Sequence, residues 1–266
     1  MLTGKKRITT DKFYTNSNIA DICFQLFEKY IKKNTLIIEP SAGNGAFLRC
    51  LKNYKYKAFD IQPEHAKIEK KNFLTVDLNS FDEPLVFLGN PPFGKQSSMA
   101  KKFIKHITKC DNTTTIGFIL PKSFKKESMQ KCFPLNFWLV EQMDISDNAF
   151  NIAGKVHNVP CVFQIWEKKE KHRIIPPYPV SKFVDFVKND GNADFTIRRV
   201  GVYAGKLDTN LNKSPQSHYF IKMKSGFDLN IFREQFKTIV FPHDNTVGPK
   251  SISKKELIIA INQLAV

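Results

Sequence analysis

Cysteine is scarce in this chain. Its five residues (Cys23, Cys50, Cys110, Cys132 and Cys161) form no C-x-x-C pair and leave one over from any pairing. That argues against a disulfide framework and favours reduced thiols in an intracellular protein, in the cytoplasm or, in a eukaryote, the nucleus. The six histidines are scattered, and His157 with Cys161 is too little for a zinc site, so no metal is expected. No apolar run approaches the roughly 20 residues of a membrane helix, so no membrane partner is expected. Residues 1–10 carry Lys5, Lys6 and Arg7 with no apolar stretch behind them, unlike a secretory signal. Acidic side chains are also few, 25 against 41 Lys plus Arg, a formal net charge of +16. The excess is spread along the chain: residues 1–170 hold 26 basic and 17 acidic side chains, residues 171–266 hold 15 and 8. A positive field of this extent favours a polyanionic partner, nucleic acid first, with a solvated lysine-rich surface as the plain alternative.

What the chain does have is 42% hydrophobic and 25% charged residues over 266 positions, the balance of a globular protein of one to two domains. Apolar residues at helical spacing (Ile19, Ala20, Ile22, Cys23, Leu26, Phe27, Tyr30, Ile31) predict a helix over 17–33, capped by Thr15, Asn16 or Ser17. A short apolar strand over 36–40 runs into a glycine turn and a helix over 46–53. A strand over 56–61, a helix over 63–70 and strands over 73–76 and 85–88 come after it. Next are a helix over 98–108, a β-branched strand over 115–120, and strands over 137–143 and 161–166. Strands alternating with helices predict an α/β, doubly wound, mostly parallel seven-stranded sheet. The last strands lack room for helices between them and predict an antiparallel edge.

Three prolines in Pro176-Pro177-Tyr178-Pro179 mark a boundary. Residues 1–170 are therefore expected to form the sheet domain and 171–266 a small, basic α+β extension. In that extension we expect a helix over 180–188, strands over 195–200 and 218–222, and helices over 229–236 and 254–265.

Three segments carry chemistry. The first, Glu39-Pro40-Ser41-Ala42-Gly43-Asn44-Gly45-Ala46-Phe47, lies directly after the first sheet strand. Its two glycines permit close approach of a ligand, at the strand end where open α/β sheets bind nucleotides. It lacks the third glycine of a dinucleotide fingerprint, and the chain has no phosphate-cradling G-x-x-x-x-G-K-[ST]. A tight turn with no ligand would read the same way. The second is Asp60, placed to accept from both hydroxyls of a ribose or, more plainly, to cap the Ile61-Gln62-Pro63 segment after it. The third is Asn90-Pro91-Pro92-Phe93-Gly94. Two prolines fix φ and remove two donors, so the Asn90 side-chain carbonyl and the Pro91 backbone carbonyl stand as rigid acceptors. Two such acceptors suit the two hydrogens of an amino group on a conjugated base, whose lone pair is otherwise delocalised. Phe93 offers a face for an extruded base, a contact worth about 1–3 kcal/mol.

On these motifs the chain resembles the class I S-adenosylmethionine-dependent N6-adenine (amino) methyltransferases. More narrowly, it is similar to the gamma-ordered DNA adenine methyltransferases of restriction-modification pairs. The resemblance covers roughly residues 13–166, with Tyr14-Thr15-Asn16, the 39–47 turn, Asp60, Asn72-Phe73-Leu74 and Asn90 to Phe93 in order. It implies S-adenosylmethionine as cofactor. Thr15 and the turn (Glu39, Pro40, Ser41, Ala42, Gly43, Gly45) would hold the methionine part. Asp60 would take the ribose, Ile61 would also belong to the cofactor site, and Asn72 and Phe73 would meet the adenine ring. Asn90, Pro91, Pro92 and Phe93 would be the catalytic corner, Asn90 also meeting the cofactor. Two departures are Asn72 for the usual aspartate and Asn16 where proline is common. The family also sets an aromatic beside the target base, for which Phe163 is the first candidate and Phe150 the second, core packing being open for both. No cysteine follows a proline in a P-C motif near strand four, which argues against thiolate-driven cytosine C5 chemistry.

In the C-terminal part, Arg198-Arg199-Val200-Gly201-Val202-Tyr203-Ala204-Gly205-Lys206 combines cations, an aromatic and two glycines. Arg198, Arg199 and Lys206 are candidate nucleic-acid contacts, against the reading of a solvated basic face. The expected function is methyl transfer to adenine N6 in nucleic acid, DNA before RNA, by base flipping. The alternatives are RNA adenine N6 methylation, protein glutamine N5 methylation, or a silent nucleic-acid-binding module on the same scaffold.

Overall fold

The computed structural model describes residues 14–146, 149–152, 155–157, 159–242 and 245–265. The expectation drawn from residues 1–10 falls outside them, as does the side chain of His157. Two compact units divide between Ile174 and Ile175.

The first unit is built on one sheet of seven strands: Leu36–Glu39 (β1), Tyr56–Asp60 (β2), Glu69–Lys70 (β3), Leu85–Gly89 (β4), Thr113–Pro121 (β5), Phe137–Asp144 (β6) and Cys161–Lys168 (β7). Their order is β3-β2-β1-β4-β5-β7-β6. The first five are parallel, whereas β7 runs antiparallel to both β5 and β6. This is the doubly wound, mostly parallel class I sheet with an antiparallel edge. Parallel strands covered on both faces read as unbroken apolar runs, and every residue of β1 and β4 is buried.

Successive strand residues point to opposite faces, so Ile37 and its neighbours Leu36 and Ile38 enter different cores. Helix α1 (Ser17–Glu28) buries Ala20, Cys23 and Phe27 on the Ile37, Val86 and Phe163 face. Helix α2 (Ser98–Ile107) buries Phe103, Ile104 and Ile107 on the Leu36, Ile38 and Phe118 face. Asn16 is the α1 cap, its side chain accepting from the Asn18 N–H. A short ribbon pairs Tyr14–Thr15 with Phe150–Ile152, which in turn pairs with Lys155–His157.

Several local expectations are corrected. Residues 45–54 form successive turns closed by i→i+3 bonds (Leu48 N to Gly45 O, Leu51 N to Leu48 O) rather than a helix. The stretch 63–70 is not helical either: the Glu64 N–H is given to Gly43 O, and the segment ends in β3. Phe73–Thr75 is a 3₁₀ turn, not a strand, because the Asn72 side chain accepts from the Leu74 N–H and closes it. Residues 180–188 hold a strand instead of a helix.

The second unit is a four-stranded antiparallel sheet of Val184–Val187 (β8), Phe195–Arg198 (β9), Leu207–Asp208 (β10) and His218–Met223 (β11), in the order β8-β11-β9-β10. Helices Leu229–Phe236 (α3) and Lys254–Ile261 (α4) close its core of Phe195, Ile197, Ile221, Phe232 and Leu257. Among the described residues no helix is long and apolar enough to cross a membrane.

Candidate active site

β2, β1 and β4 are adjacent parallel strands, so the loops at their carboxyl ends must meet. They enclose a cavity of about 450 Å³. The turn after β1 contributes Pro40, Ser41 and Gly43; the end of β2 contributes Asp60 and Ile61; the corner after β4 contributes Asn90, Pro91, Pro92 and Phe93. Asn72 and Phe73 line it as well.

Hydrogen bonds lock these pieces together. Asp60 Oδ2 accepts from the Gly43 N–H at 2.8 Å and its Oδ1 from the Gln62 N–H at 2.7 Å. The Ser41 hydroxyl donates to the Asn90 backbone carbonyl at 3.1 Å, tying the turn to the diproline corner. Gly43 sits at φ +53°, and a Cβ there would come within 3.2 Å of the Tyr14 ring. Asn90 Nδ2 donates to Thr15 Oγ1 at 3.2 Å, and its Oδ1 is buried rather than open to the cavity.

Glu39 at the root of the turn is 2% exposed. Burial first, and then the nearby Asp60 charge, pushes its carboxyl well above the usual carboxylate range. Its Oε2 is buried without a hydrogen-bond partner among the described residues. Glu39, Thr15, Ala42 and Gly45 stand behind the wall of the cavity rather than in it. Phe73, 2% exposed, stacks on Phe103 at 5.4 Å and meets the His106 ring edge-on at 5.2 Å. Asn72 spends a side-chain lone pair on its own turn.

These residues fit S-adenosylmethionine. Each Asp60 oxygen has accepted one backbone N–H and keeps a lone pair for a ribose hydroxyl. Ile61, 64% exposed at the cavity, offers an apolar face to a purine. S-adenosylmethionine supplies, when bound, a methyl group made electrophilic by a sulfonium.

The corner is anchored on its far side too. The Phe93 carbonyl accepts from the Met99 N–H at 3.1 Å, joining it to the start of α2. Between them Gly94, Gln96 and Ser97 all take positive φ (+68°, +53° and +60°). Tyr14, Gln62, Lys71, Leu74, Met99 and Phe103 also line the cavity and were not assigned from sequence. Tyr14 stood in a quoted motif, and its hydroxyl donates to Glu64. Burial, the Glu64 hydrogen bond and then the Glu64 and Asp60 charges push that hydroxyl up to about 12.

The structure does not bring Phe163 to the site. It is fully buried on β7 among the α1-side core, and Phe150 is buried there too. Both faces of β7 are covered, so the apolar run could not reveal which way Phe163 points. Among the described residues no cysteine lines the cavity. Burial raises the Cys50 thiol to about 11, with help from Asp21, and the Cys132 thiol to about 12. No group of metal-ligating side chains is found among the described residues. In the second unit, Arg199 and Lys206 are exposed, whereas Arg198 is half-buried and spends its Nε–H on the Val200 carbonyl at 3.0 Å.

Residues 30–175 match the family described as the EDM2 methyltransferase-like domain. Protein ENHANCED DOWNY MILDEW 2 of Arabidopsis thaliana is 23% identical over 189 residues, 66% of this chain and 14% of that protein. The type II methyltransferase M.HincII of Haemophilus influenzae is 30% identical over 104 residues, 36% of this chain and 20% of its own length. The chain thus spans a fifth or less of these curated relatives. Among solved structures, the 23S rRNA methyltransferase ErmE superposes with a TM-score of 0.44 at 17% identity, covering 62% of this chain and 72% of that one.

Proposed function

The chain belongs to the family of EDM2 methyltransferase-like domains, and on that premise we propose that it methylates the N6 amino group of adenine in nucleic acid, DNA before RNA, using S-adenosylmethionine. One observation carries the reading: the Asn90-Pro91-Pro92-Phe93 corner and the Gly43–Asp60 pair line the same cavity, joined through Ser41.

An adenine amino nitrogen is a weak nucleophile because its lone pair is conjugated with the ring. The Asn90 side-chain carbonyl and the Pro91 carbonyl accept its two hydrogens and hold it pyramidal, with the lone pair turned toward the cofactor's methyl. S-adenosylmethionine, held by Asp60 and the glycine turn, would supply the electrophilic methyl, and the amino nitrogen that accepts it would lose a proton to solvent. Phe93 stacks on the flipped base, and Pro92 keeps water from the reacting atoms. Asn90 must first turn its oxygen from the protein interior to the substrate. The second unit, with Arg199 and Lys206 exposed, is the proposed nucleic-acid contact, and the excess of cations over the whole chain supports a polyanionic substrate.

The test is incubation of the full chain with methyl-labelled S-adenosylmethionine and separate DNA, RNA and protein pools, then nucleoside analysis. N6-methyladenine in DNA is expected. Label found only in protein glutamine, or in no pool although calorimetry shows cofactor bound, overturns the reading. Asn90→Ala should lower transfer on the order of 10²–10³-fold, the effect of deleting one preorganised hydrogen-bonding group. Cofactor affinity should change little.

A further inference from the structure

The second unit carries a loop that packing alone does not account for. Between β9 and β10 the chain turns through 201–205, bracketed by Gly201 at φ +100° and Gly205 at φ +95°. Its backbone is held at many points. Ala204 N donates to Gly201 O, Gly205 N to Arg198 O, Lys206 N to Tyr203 O, and Gly201 N to Lys250 O. Ala204 plugs into the core, and at Gly205 a Cβ would meet the Phe241 ring at 2.6 Å, so the loop is pressed against its own unit. Yet the two residues at the tip of this fixed frame, Val202 and Tyr203, are 77% and 64% exposed.

Three exposed cations belong to the same part of this unit. Lys206 Nζ lies 5.8 Å from the centre of the Tyr203 ring, Lys250 is exposed on the adjoining strand-like bridge, and Arg199 is laid over Tyr219 at 5.2 Å. Among the described residues none of the three makes a carboxylate ion pair within 4 Å, although the Lys206 charge helps to hold the Asp208 carboxyl below its usual value. Tyr219 is itself fixed through its hydroxyl to the Ile252 carbonyl. An apolar, aromatic tip on a rigid loop loses little conformational entropy on binding. Such a tip, with Lys206 against its ring and Arg199 and Lys250 exposed in the same unit, suits a partner that alternates flat apolar faces with phosphates.

We propose that this loop is a docking point for an unpaired nucleic-acid strand. One base stacks on the Tyr203 ring, Val202 packs beside it, and Arg199, Lys206 and Lys250 take the flanking phosphates. The inference deepens the nucleic-acid reading above and rests on it. A strand with its base faces free is the partner chosen because stacking on a projecting ring requires a face that a closed duplex keeps covered.

The experiment measures binding of the full chain to fluorescently labelled single-stranded oligonucleotides and blunt duplexes across a salt series. Tyr203→Ala should weaken single-strand binding roughly 5- to 150-fold, as expected for one lost stacking contact, and duplex binding less than about 3-fold. Being uncharged, the substitution should leave the salt slope unchanged, whereas Lys206→Ala and Lys250→Ala should each reduce it by about 0.7. Tyr203→Phe, which keeps the ring, should bind like the parent. Circular dichroism and the thermal midpoint of Tyr203→Ala should match the parent, because the side chain is exposed. Unchanged single-strand affinity in Tyr203→Ala, an equal loss on duplex, or no recovery in Tyr203→Phe overturns the inference and leaves the nucleic-acid reading standing. A parent chain that binds neither polymer sinks both.

Discussion

Asp60 offers the sharpest quantitative test of the cofactor site. Its two oxygens accept the Gly43 and Gln62 N–H groups at 2.8 and 2.7 Å, and each retains a lone pair toward the cavity. A hydrogen bond to a charged group contributes about 1.5–3 kcal/mol. Two ribose hydroxyls on the carboxylate are then worth roughly 3–6 kcal/mol, a factor of about 10² to 10⁴ in cofactor affinity. Asp60→Asn keeps one acceptor oxygen and should lose about half of that free energy, roughly 10- to 150-fold. Asp60→Ala should lose all of it, and also free the Gly43 turn. Titration calorimetry with S-adenosylmethionine reads the affinity; urea denaturation without cofactor reads the loosened turn. A 2′-deoxyribose analogue of the cofactor separates direct contact from loosening. It should bind more weakly than the parent cofactor to the unaltered protein and equally well to Asp60→Ala. Equal penalties in both proteins, or an Asp60→Ala affinity within about threefold of the parent, would refute the ribose assignment.

The same walls give two further expected outcomes. Because burial holds the Glu39 carboxyl well above its ordinary value of 4.5, the folded chain keeps a proton that the unfolded chain has already lost. Stability is therefore fullest below that ordinary value and falls as pH rises through the folded-state value. Glu39→Gln should flatten the fall in urea midpoints as pH rises above that ordinary value, and a slope identical to the parent's would contradict this. Gly94→Ala forces a Cβ to within 2.7 Å of Met99 Cγ at φ +68°. Left-handed backbone alone costs an alanine about 1–2 kcal/mol, so calorimetric scans should show a lower thermal midpoint; an unchanged midpoint would mean that the loop before α2 relaxes freely.

What the chain disclosed before folding depended on how locally each element is determined. β1, β4, β5 and β7 stood out because strands covered on both faces are written as continuous apolar runs. α1, α2 and α3 stood out because one apolar stripe recurs at helical spacing. The misassigned pieces obey longer-range rules. Phe47, Leu48 and Leu51 have helical spacing, but i→i+3 turns bury the same positions. Glu64 gives its N–H to the glycine turn, a partner that no pattern within 63–70 announces. Val184 and Phe186 become strand residues only by pairing with β11, more than thirty positions away. The site divides in the same way. Gly43, Asp60 and the diproline corner could be named because each sits at a strand end with special backbone chemistry. Met99, Phe103 and Lys71 reach the cavity through packing of α2 and the 3₁₀ turn. Phe163 failed because alternation along a doubly covered strand does not say which face is which.

The contact between Thr15 and Asn90 spans 75 positions of chain. It makes the amide at the heart of the proposed chemistry a borrowed group, moored to a hydroxyl on the short ribbon that precedes α1. Turning the amide oxygen to a substrate gives up the bond that its nitrogen donates to Thr15, a contact worth about 0.5–1.5 kcal/mol. The resting contact therefore orders the side chain and sets a small opposing cost to its use. Whatever shifts the ribbon of Tyr14–Thr15 against Phe150–Ile152 also retunes a corner that lies in neither segment.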